Sequence, residues 1–137
     1  AIARGISLAM VPARGELGNM AGRLKVLIVE DDALIAMELE ERLGELGYDV
    51  LGPAASIEDA DAIIAKQRPD AALLDANLAG TSSVPLGAKL VAQGVPIAFC
   101  TGYDKIKNAP PELAAVPILT KPISDADLVA GLKKLLP

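Results

Sequence analysis

Short apolar runs recur along most of the chain, and segments with helical spacing separate them. The runs cover residues 26–29, 71–74, 95–100 and 116–119, and the mixed segment 48–52 has the composition of a further strand. Short continuous apolar runs, above all 26–29 and 71–74, are typical of strands that are buried on both faces of a parallel sheet. The pattern therefore predicts five strands.

The segment after the first run has the spacing of an amphipathic helix. Ile35, Leu39 and Leu43 recur at steps of four within residues 33–46, and charged residues fall mostly on the other side. This stripe predicts the core face of a helix that ends at Gly47.

Further helices are predicted after the second, third and fifth strands. Two of them follow a serine with an aspartate three residues later, a pattern that is typical of helix N-termini. Residues 103–115 contain two prolines and are predicted to be irregular with one short helix. The three further helices are 56–67 with a cap at Ser56, 84–93, and 124–136 with a cap at Ser124.

This alternation of strands and helices determines the predicted fold class. Right-handed crossovers between parallel strands place helices on both sides of the sheet. We therefore expect an α/β fold, with a doubly wound five-stranded parallel sheet flanked by helices. Residues 1–22 lack this periodicity and are predicted to be a flexible leader or linker before one domain over 23–137.

Composition and charge exclude several classes of function. The net charge is −5 and the basic residues are scattered, so a direct nucleic-acid partner is not expected. No apolar stretch approaches the ~18 residues of a membrane span. The single cysteine cannot form an internal disulfide, which fits the cytoplasm. The absence of histidine excludes a Ser-His-Asp hydrolase, a His-ligated metal site and a histidine kinase.

Polar side chains follow four of the five predicted strands. In an open parallel sheet, ligands bind in the crevice outside the carboxyl ends of the strands. These side chains are therefore expected to share one site. They are Glu30, Asp31 and Asp32 after the first strand, Asp75 after the third, Thr101 after the fourth and Lys121 after the fifth.

The chemistry of these residue types indicates metal-assisted phosphoryl transfer. Neighbouring carboxylates repel one another unless a hard cation lies between them, and oxygen ligands suit Mg²⁺. Such an ion would neutralise an incoming phosphoryl group and align it with Asp75 as the nucleophile. Lys121 would pair with another phosphoryl oxygen, and the Thr101 hydroxyl would hydrogen-bond a third.

Each of these residues also has an ordinary structural interpretation. Asp31 and Asp32 can cap the first helix, Asp75 can begin a turn, and Lys121 can be an exposed loop residue. All these alternatives would have to coincide at one crevice, so the combined pattern favours the functional interpretation.

Four motifs at the strand ends resemble those of CheY-like receiver domains of response regulators. They are VLIVEDD, LLDAN, CTG and LTKPIS. The resemblance covers residues 24–137 and implies the flavodoxin-like fold of that family. It also implies a phosphoprotein of bacterial two-component signalling.

The resemblance implies a set of metal ligands around the acceptor. Glu30 and Asp31 correspond to the family's acid pair, with Asp31 as the direct ligand. Asp75 corresponds to the phospho-acceptor, which also binds the metal. Asn77 would offer its backbone carbonyl to the metal, with its side chain facing the site. Asp32 is instead expected to cap the first helix.

The resemblance also implies a switch. Thr101 would be the switch hydroxyl and Lys121 the phosphoryl-binding lysine, before a Pro122 with an expected cis peptide bond. Many receivers have an aromatic residue three positions before the lysine, where this chain has Ile118. The aromatic residue is found at Tyr103 instead.

The string around Tyr103 resembles the FATGY-type receivers of alphaproteobacteria. It reads Phe-Cys-Thr-Gly-Tyr over residues 99–103, with Cys100 in place of alanine. The resemblance suggests a switch in a mobile loop over 102–112. A partly exposed loop aromatic with no switch role is an equally good interpretation of Tyr103.

The sequence thus predicts a stand-alone receiver that takes a phosphoryl group from a sensor histidine kinase or a histidine phosphotransfer protein. It would control an unknown partner protein or drain phosphate from a kinase, and would catalyse only its own phosphorylation and dephosphorylation. The alternative is a pseudo-receiver that binds proteins independently of phosphorylation. The loop after Asp75 mildly favours it, because many receivers have Met-Pro where this chain reads Asn-Leu-Ala-Gly over residues 77–80. A small phosphatase is disfavoured because Asn77 replaces the acid/base carboxylate of the Asp-x-Asp pattern.

Overall fold

A computed structural model of the chain describes residues 3–4, 7–8, 22–103 and 106–137. The predicted leader, residues 1–22, lies almost entirely outside the described residues. The part of it that is described is an antiparallel pair of two-residue strands, Ala3–Arg4 and Ser7–Leu8, together with residue 22. No helix in the described part of the chain is long and apolar enough to cross a membrane.

Five parallel strands form the central sheet. Their spatial order is β2-β1-β3-β4-β5, which confirms the predicted doubly wound topology. The strands are β1 (Lys25–Val29), β2 (Asp49–Ala54), β3 (Ala71–Asp75), β4 (Ile97–Thr101) and β5 (Ile118–Thr120).

In the part of the chain that the structure describes, four α-helices flank the sheet. In the described part of the connection between β4 and β5, the regular element is a single 3₁₀ turn, Pro111–Leu113. Two consecutive prolines at 110 and 111 remove backbone donors there, which prevents a continuous α-helix across them. The helices are α1 (Ala33–Glu45), α2 (Ile57–Lys66), α3 (Val84–Ala92) and α4 (Asp125–Leu135).

The sheet separates two hydrophobic layers. Alternate residues of each strand point to opposite faces, so that Leu27 packs with α2 and α3 whereas Ile28 packs with α1 and α4. Both faces of the sheet are therefore covered, and polar strand residues are confined to the strand ends. This arrangement explains why the central strands were recognisable as continuous apolar runs.

The predicted core face of α1 was wrong at one position. Leu39 and Leu43 are buried as expected, together with Ala36, but Ile35 is 37% exposed. Steps of three and four from Ala36 keep one side of the helix on the sheet, and Ile35 lies about 100° away from Ala36 around the axis. Ile35 therefore lies on the flank of the helix rather than in the core.

Side-chain caps determine where three of the helices begin. The Asp32 carboxylate accepts from the backbone N–H groups of Leu34 and Ile35, which confirms it as the cap of α1. Ser56 and Ser124 cap α2 and α4 in the same way, each accepting from the N–H three residues later. Asp32 is thus engaged with the helix, which agrees with its exclusion from the predicted metal ligands.

The segment after β3, which the sequence indicates is a loop rich in Gly, Thr and Ser, forms a short hairpin. Asn77–Leu78 pairs with Thr81–Ser82 in antiparallel register, and Ala79 and Gly80 form the turn with φ of 53° and 92°. Two successive residues with positive φ are typical of a two-residue hairpin turn, which usually favours Asn-Gly or Asp-Gly. Ala79 is an unusual residue there, so the hairpin has a weak sequence signal.

Gly52 in β2 is a position where we expect a side chain to be strongly destabilising. Its φ is +87°, and an added Cβ would lie 2.6 Å from the backbone nitrogen of Ala54. Backbone atoms cannot move aside as a side chain can, so Gly52→Ala should lower the free energy of unfolding by about 3 kcal/mol. Urea unfolding followed by circular dichroism measures this change.

Gly44 in α1 provides the matched control for Gly52. An added Cβ at Gly44 would meet no atom within 4 Å. Gly44→Ala should therefore leave the free energy of unfolding unchanged or raise it by about 0.5 kcal/mol through helix propensity. Equal stability of the two variants would contradict the strain assigned to Gly52.

Candidate functional site

The carboxyl ends of the strands bring the predicted site residues to one edge of the sheet. Glu30 directly follows β1, Asp75 is the last residue of β3, and Thr101 is the last residue of β4. Lys121 follows β5, and its backbone N–H donates to the Thr101 carbonyl at 2.7 Å. The sheet order places β1 and β4 on either side of β3, so the strand that ends at Asp75 is central.

The Lys121 ammonium joins two of the carboxylates. Its Nζ donates to Glu30 Oε1 at 2.9 Å and to Asp75 Oδ2 at 3.2 Å. The Lys121 side chain is 25% exposed and that of Glu30 only 2% exposed, so both pairs are largely shielded from water. Electrostatic interactions at such a site are stronger than those between exposed surface charges.

Burial and neighbouring charges change the proton affinity of this cluster. Burial raises the pKa of the Glu30 carboxyl, and the nearby Asp75 adds to the increase, whereas Lys121 and the Asp32 N–H oppose it. Burial alone would lower the pKa of Lys121, but hydrogen bonds and charge from Glu30 and Asp75 outweigh it and raise that pKa. Lys121 is therefore a cation at neutral pH.

Three carboxylates of this site can approach a common point. Oxygen atoms of Glu30, Asp31 and Asp75 all lie within 4.8 Å of one another, and Asp31 is open to solvent. With Lys121 as their cationic partner, the three carboxylates carry two uncompensated negative charges when ionised. This hard-oxygen donor set with one open side fits Mg²⁺, which usually retains several waters.

Backbone groups orient the Asp75 carboxylate. Asp75 is 9% exposed, and its Oδ1 accepts from the Asn77 N–H at 3.2 Å while Oδ2 faces Lys121. The Asn77 side chain is engaged with the hairpin turn, because its Oδ1 accepts from the Gly80 N–H at 2.7 Å. The hairpin therefore contributes to the geometry of the Asp75 carboxylate.

Thr101 and Tyr103 lie on the side of β3 that faces away from β1. Thr101 is 8% exposed, and its Oγ1 accepts from the Tyr103 N–H at 3.3 Å. The Tyr103 side chain is 77% exposed. Both residues line a cavity of about 890 Å³, together with Asn77 and Ile106 among others. The Lys121–Pro122 peptide bond is cis.

Cys100 contributes packing rather than chemistry at this edge. It is buried beside Leu119 in the core layer shared with α1 and α4. Burial raises the pKa of its thiol to about 12, against the influence of Lys121, so it is a neutral thiol at physiological pH. This confirms the interpretation of Cys100 as a small buried hydrophobic residue.

Ser83 is a polar residue beside Asp75 that the sequence pattern did not indicate as part of the site. It is fully buried at the start of α3, and its Oγ donates to the Asp75 backbone carbonyl at 2.6 Å. The sequence signal that points to it is a serine just before a helix with proline at its second position. That signal predicts a helix cap and not a contact with the strand eight residues earlier.

The chain is similar in sequence to response regulators. Residues 26–133 match the family model described as the response regulator receiver domain. The positive alginate biosynthesis regulatory protein of Pseudomonas aeruginosa is 36% identical over 115 residues, 81% of this chain and 46% of that protein. Sporulation initiation phosphotransferase F of Bacillus subtilis is 30% identical over 118 residues, 82% of this chain and 94% of that protein. The chain spans about half the length of the first curated relatives it matches.

The fold is also similar to that of solved structures. The solution structure of SdrG from Sphingomonas melonis Fr1 superposes with a TM-score of 0.72 at 34% identity, and the match covers 86% of this chain and 100% of that one. The similarity in fold therefore extends over the whole of the SdrG chain.

Proposed function

Because the chain belongs to the family of response regulator receiver domains of two-component systems, we propose that it accepts a phosphoryl group on Asp75 with Mg²⁺ as its cofactor. The observation that carries this proposal is the contact between Lys121 Nζ and the carboxylates of Asp75 and Glu30. An ammonium beside Asp75 can stabilise the negative charge as it moves from the carboxylate to the phosphoryl oxygens.

In the proposed reaction, an oxygen of the Asp75 carboxylate attacks the phosphorus atom of a phosphohistidine. An O–P bond forms as the N–P bond breaks, and the electron pair of that bond remains on the imidazole of the donor. Lys121 is within reach of the transferred phosphoryl group because it already contacts Asp75 Oδ2. The Thr101 hydroxyl lies at the adjacent strand end, where it can donate to another phosphoryl oxygen.

The proposed metal ligands are Asp31, Asp75 and the backbone carbonyl of Asn77, with Glu30 as the second member of the acid pair. When bound, Mg²⁺ would supply positive charge that offsets repulsion between the acidic site and the incoming phosphoryl group. The open position of Asp31 and the oxygen cluster support this assignment. Glu30 is already paired with Lys121, so Asp31 is the more available ligand.

The proposed partners follow from the chemistry of the reaction. The given sequence has no histidine, so the proposed phosphohistidine donor is a sensor histidine kinase or a histidine phosphotransfer protein. The likeness to a sporulation phosphotransferase over 94% of that protein supports a relay role. We propose that this exchange takes place in the bacterial cytoplasm. We also propose that residues 1–22 are a flexible leader or linker and that residues 23–137 form the receiver domain.

The switch is proposed to follow the FATGY-type pattern of residues 99–103. Thr101 would turn toward the phosphoryl group, which would release its hydrogen bond from the Tyr103 N–H. We expect phosphorylation to change amide hydrogen exchange at Tyr103 and over residues 106–110, with little change in α1. Exchange rates in this segment that stay the same after phosphorylation would contradict the switch.

The proposed function is tested with the wild-type protein and acetyl phosphate. We expect a gain of one phosphoryl group by intact mass when Mg²⁺ is present, and no gain when EDTA replaces it. Reduction of the acyl phosphate with borohydride, followed by peptide mass mapping, would locate it at Asp75. If neither acetyl phosphate nor a phosphorylated histidine phosphotransfer protein modifies the chain and Mg²⁺ does not bind, the pseudo-receiver is the better interpretation.

A further inference from the structure

The Ser83 hydroxyl has an unusual partner for a residue at a helix N-terminus. Ser83 is the N-cap residue of α3, yet its side chain makes no capping hydrogen bond. A serine at this position normally accepts from the N–H two or three residues later. Here the hydroxyl acts as a donor instead, and its acceptor is the backbone carbonyl of Asp75 at 2.6 Å.

Two neighbouring residues explain how α3 begins without this cap. Pro85 occupies the second helical position and has no N–H to satisfy. The N–H of Val84 is accepted by the side chain of Ser82 at 3.1 Å. The start of α3 therefore does not need the Ser83 hydroxyl, which is free to bond elsewhere.

Ser83 hydrogen-bonds to two successive backbone carbonyls at the end of β3, those of Asp75 and Ala76. Its Oγ donates to the Asp75 carbonyl, and its own N–H donates to the Ala76 carbonyl at 3.1 Å. On the other side, the Ala76 N–H donates to the Cys100 carbonyl of β4 at 3.1 Å. The peptide after Asp75 is thus clamped between α3 and β4, and Ser83 is fully buried at the centre of the contact.

We infer that Ser83 is a positioning residue for the phospho-acceptor, acting through the Asp75 carbonyl. This inference rests on the proposed phosphorylation of Asp75. The direction of an aspartate side chain is determined by its backbone, and the Asn77 N–H that binds Asp75 Oδ1 lies two residues along the same clamped segment. Loss of the Ser83 hydroxyl should let this segment shift, and small displacements of a reacting group lower its rate.

The test compares Ser83→Ala with Ser82→Ala in the phosphorylation of the full chain by acetyl phosphate with Mg²⁺. Ser82 is the matched control because it is an exposed serine next to Ser83 whose hydroxyl bonds only to the start of α3. We expect Ser83→Ala to lower the saturating rate about tenfold. The acetyl phosphate concentration at half-saturation should stay within about twofold of the wild-type value, because Ser83 contacts no part of the donor.

Three outcomes would overturn the inference. The first is a wild-type rate for Ser83→Ala once the folded fraction, measured by circular dichroism, is taken into account. The second is an equal loss of rate in both variants, which would assign the effect to the start of α3. The third is a wild type that gains no phosphoryl group, in which case the proposed function fails and Ser83 has no reaction to position. The first two outcomes leave the proposed function intact, so the two failures are distinguishable.

Discussion

Asp75→Asn is expected to abolish phosphorylation of this protein. The asparagine side chain has nearly the same shape, but its amide oxygen carries no negative charge and cannot form the acyl phosphate. Lys121 keeps its contact with Glu30 at 2.9 Å, so the cluster retains an ion pair. Intact mass after incubation with acetyl phosphate and Mg²⁺ should show no added phosphoryl group in the variant.

The folded state of Asp75→Asn should survive, which makes the result interpretable. Asp75 raises the pKa of Glu30, so its neutralisation should move that pKa back toward the ordinary range. Asp61→Asn is a suitable control because Asp61 is a surface residue whose side chain pairs with Lys89 on α3. An exposed pair of this kind contributes at most about 1 kcal/mol. A phosphoryl group on the Asp75→Asn variant would show that another carboxylate is the acceptor.

Asp31→Asn is expected to weaken Mg²⁺ binding by more than tenfold, roughly the effect of losing one charged oxygen ligand. Asp31 is the exposed member of the three carboxylates that converge within 4.8 Å. Isothermal titration with MgCl₂ measures the affinity directly, which is useful because the chain has no tryptophan for a fluorescence assay. The rate of phosphorylation should fall in parallel.

Asp32→Asn separates the ligand effect of Asp31 from a general loss of negative charge. Both substitutions remove one charge at adjacent positions, so their effect on the long-range field is similar. Asn is as good an N-cap as Asp, so the hydrogen bonds to the Leu34 and Ile35 N–H groups can be kept. Asp32→Asn should therefore bind Mg²⁺ nearly as the wild type does. Equal losses in the two variants would remove Asp31 from the metal ligands.

Local sequence determined most of the secondary structure. The three central strands, β1, β3 and β4, are readable because each is buried on both faces, which requires a continuous apolar run. The caps at Asp32, Ser56 and Ser124 are readable because each involves hydrogen bonds within three residues along the chain. The polar residues at the strand ends could be assigned to one site because parallel strands end at the same edge of a sheet.

The tertiary structure decided features that depend on how elements face one another. Ile35 fits the helical period, but the orientation of α1 on the sheet exposes it, and periodicity alone does not determine that orientation. The hairpin after Asp75 turns at Ala79, which has a weak turn signal but adopts φ 53° where Leu78 pairs with Thr81 and the Gly80 N–H donates to Asn77 Oδ1. In both cases contacts between elements or strands outweighed a local preference.

The site itself is the clearest example of this division. The residue types at the strand ends follow from the sequence, but Lys121 contacts carboxylates that lie 91 and 46 positions away along the chain. Burial of Glu30, which raises its pKa, exists only when the sheet and its helices are assembled. The Ser83 hydroxyl likewise bonds to Asp75 because α3 begins against the end of β3. Sequence determined which chemical groups are present at this edge, and only the fold determined their distances and proton affinities.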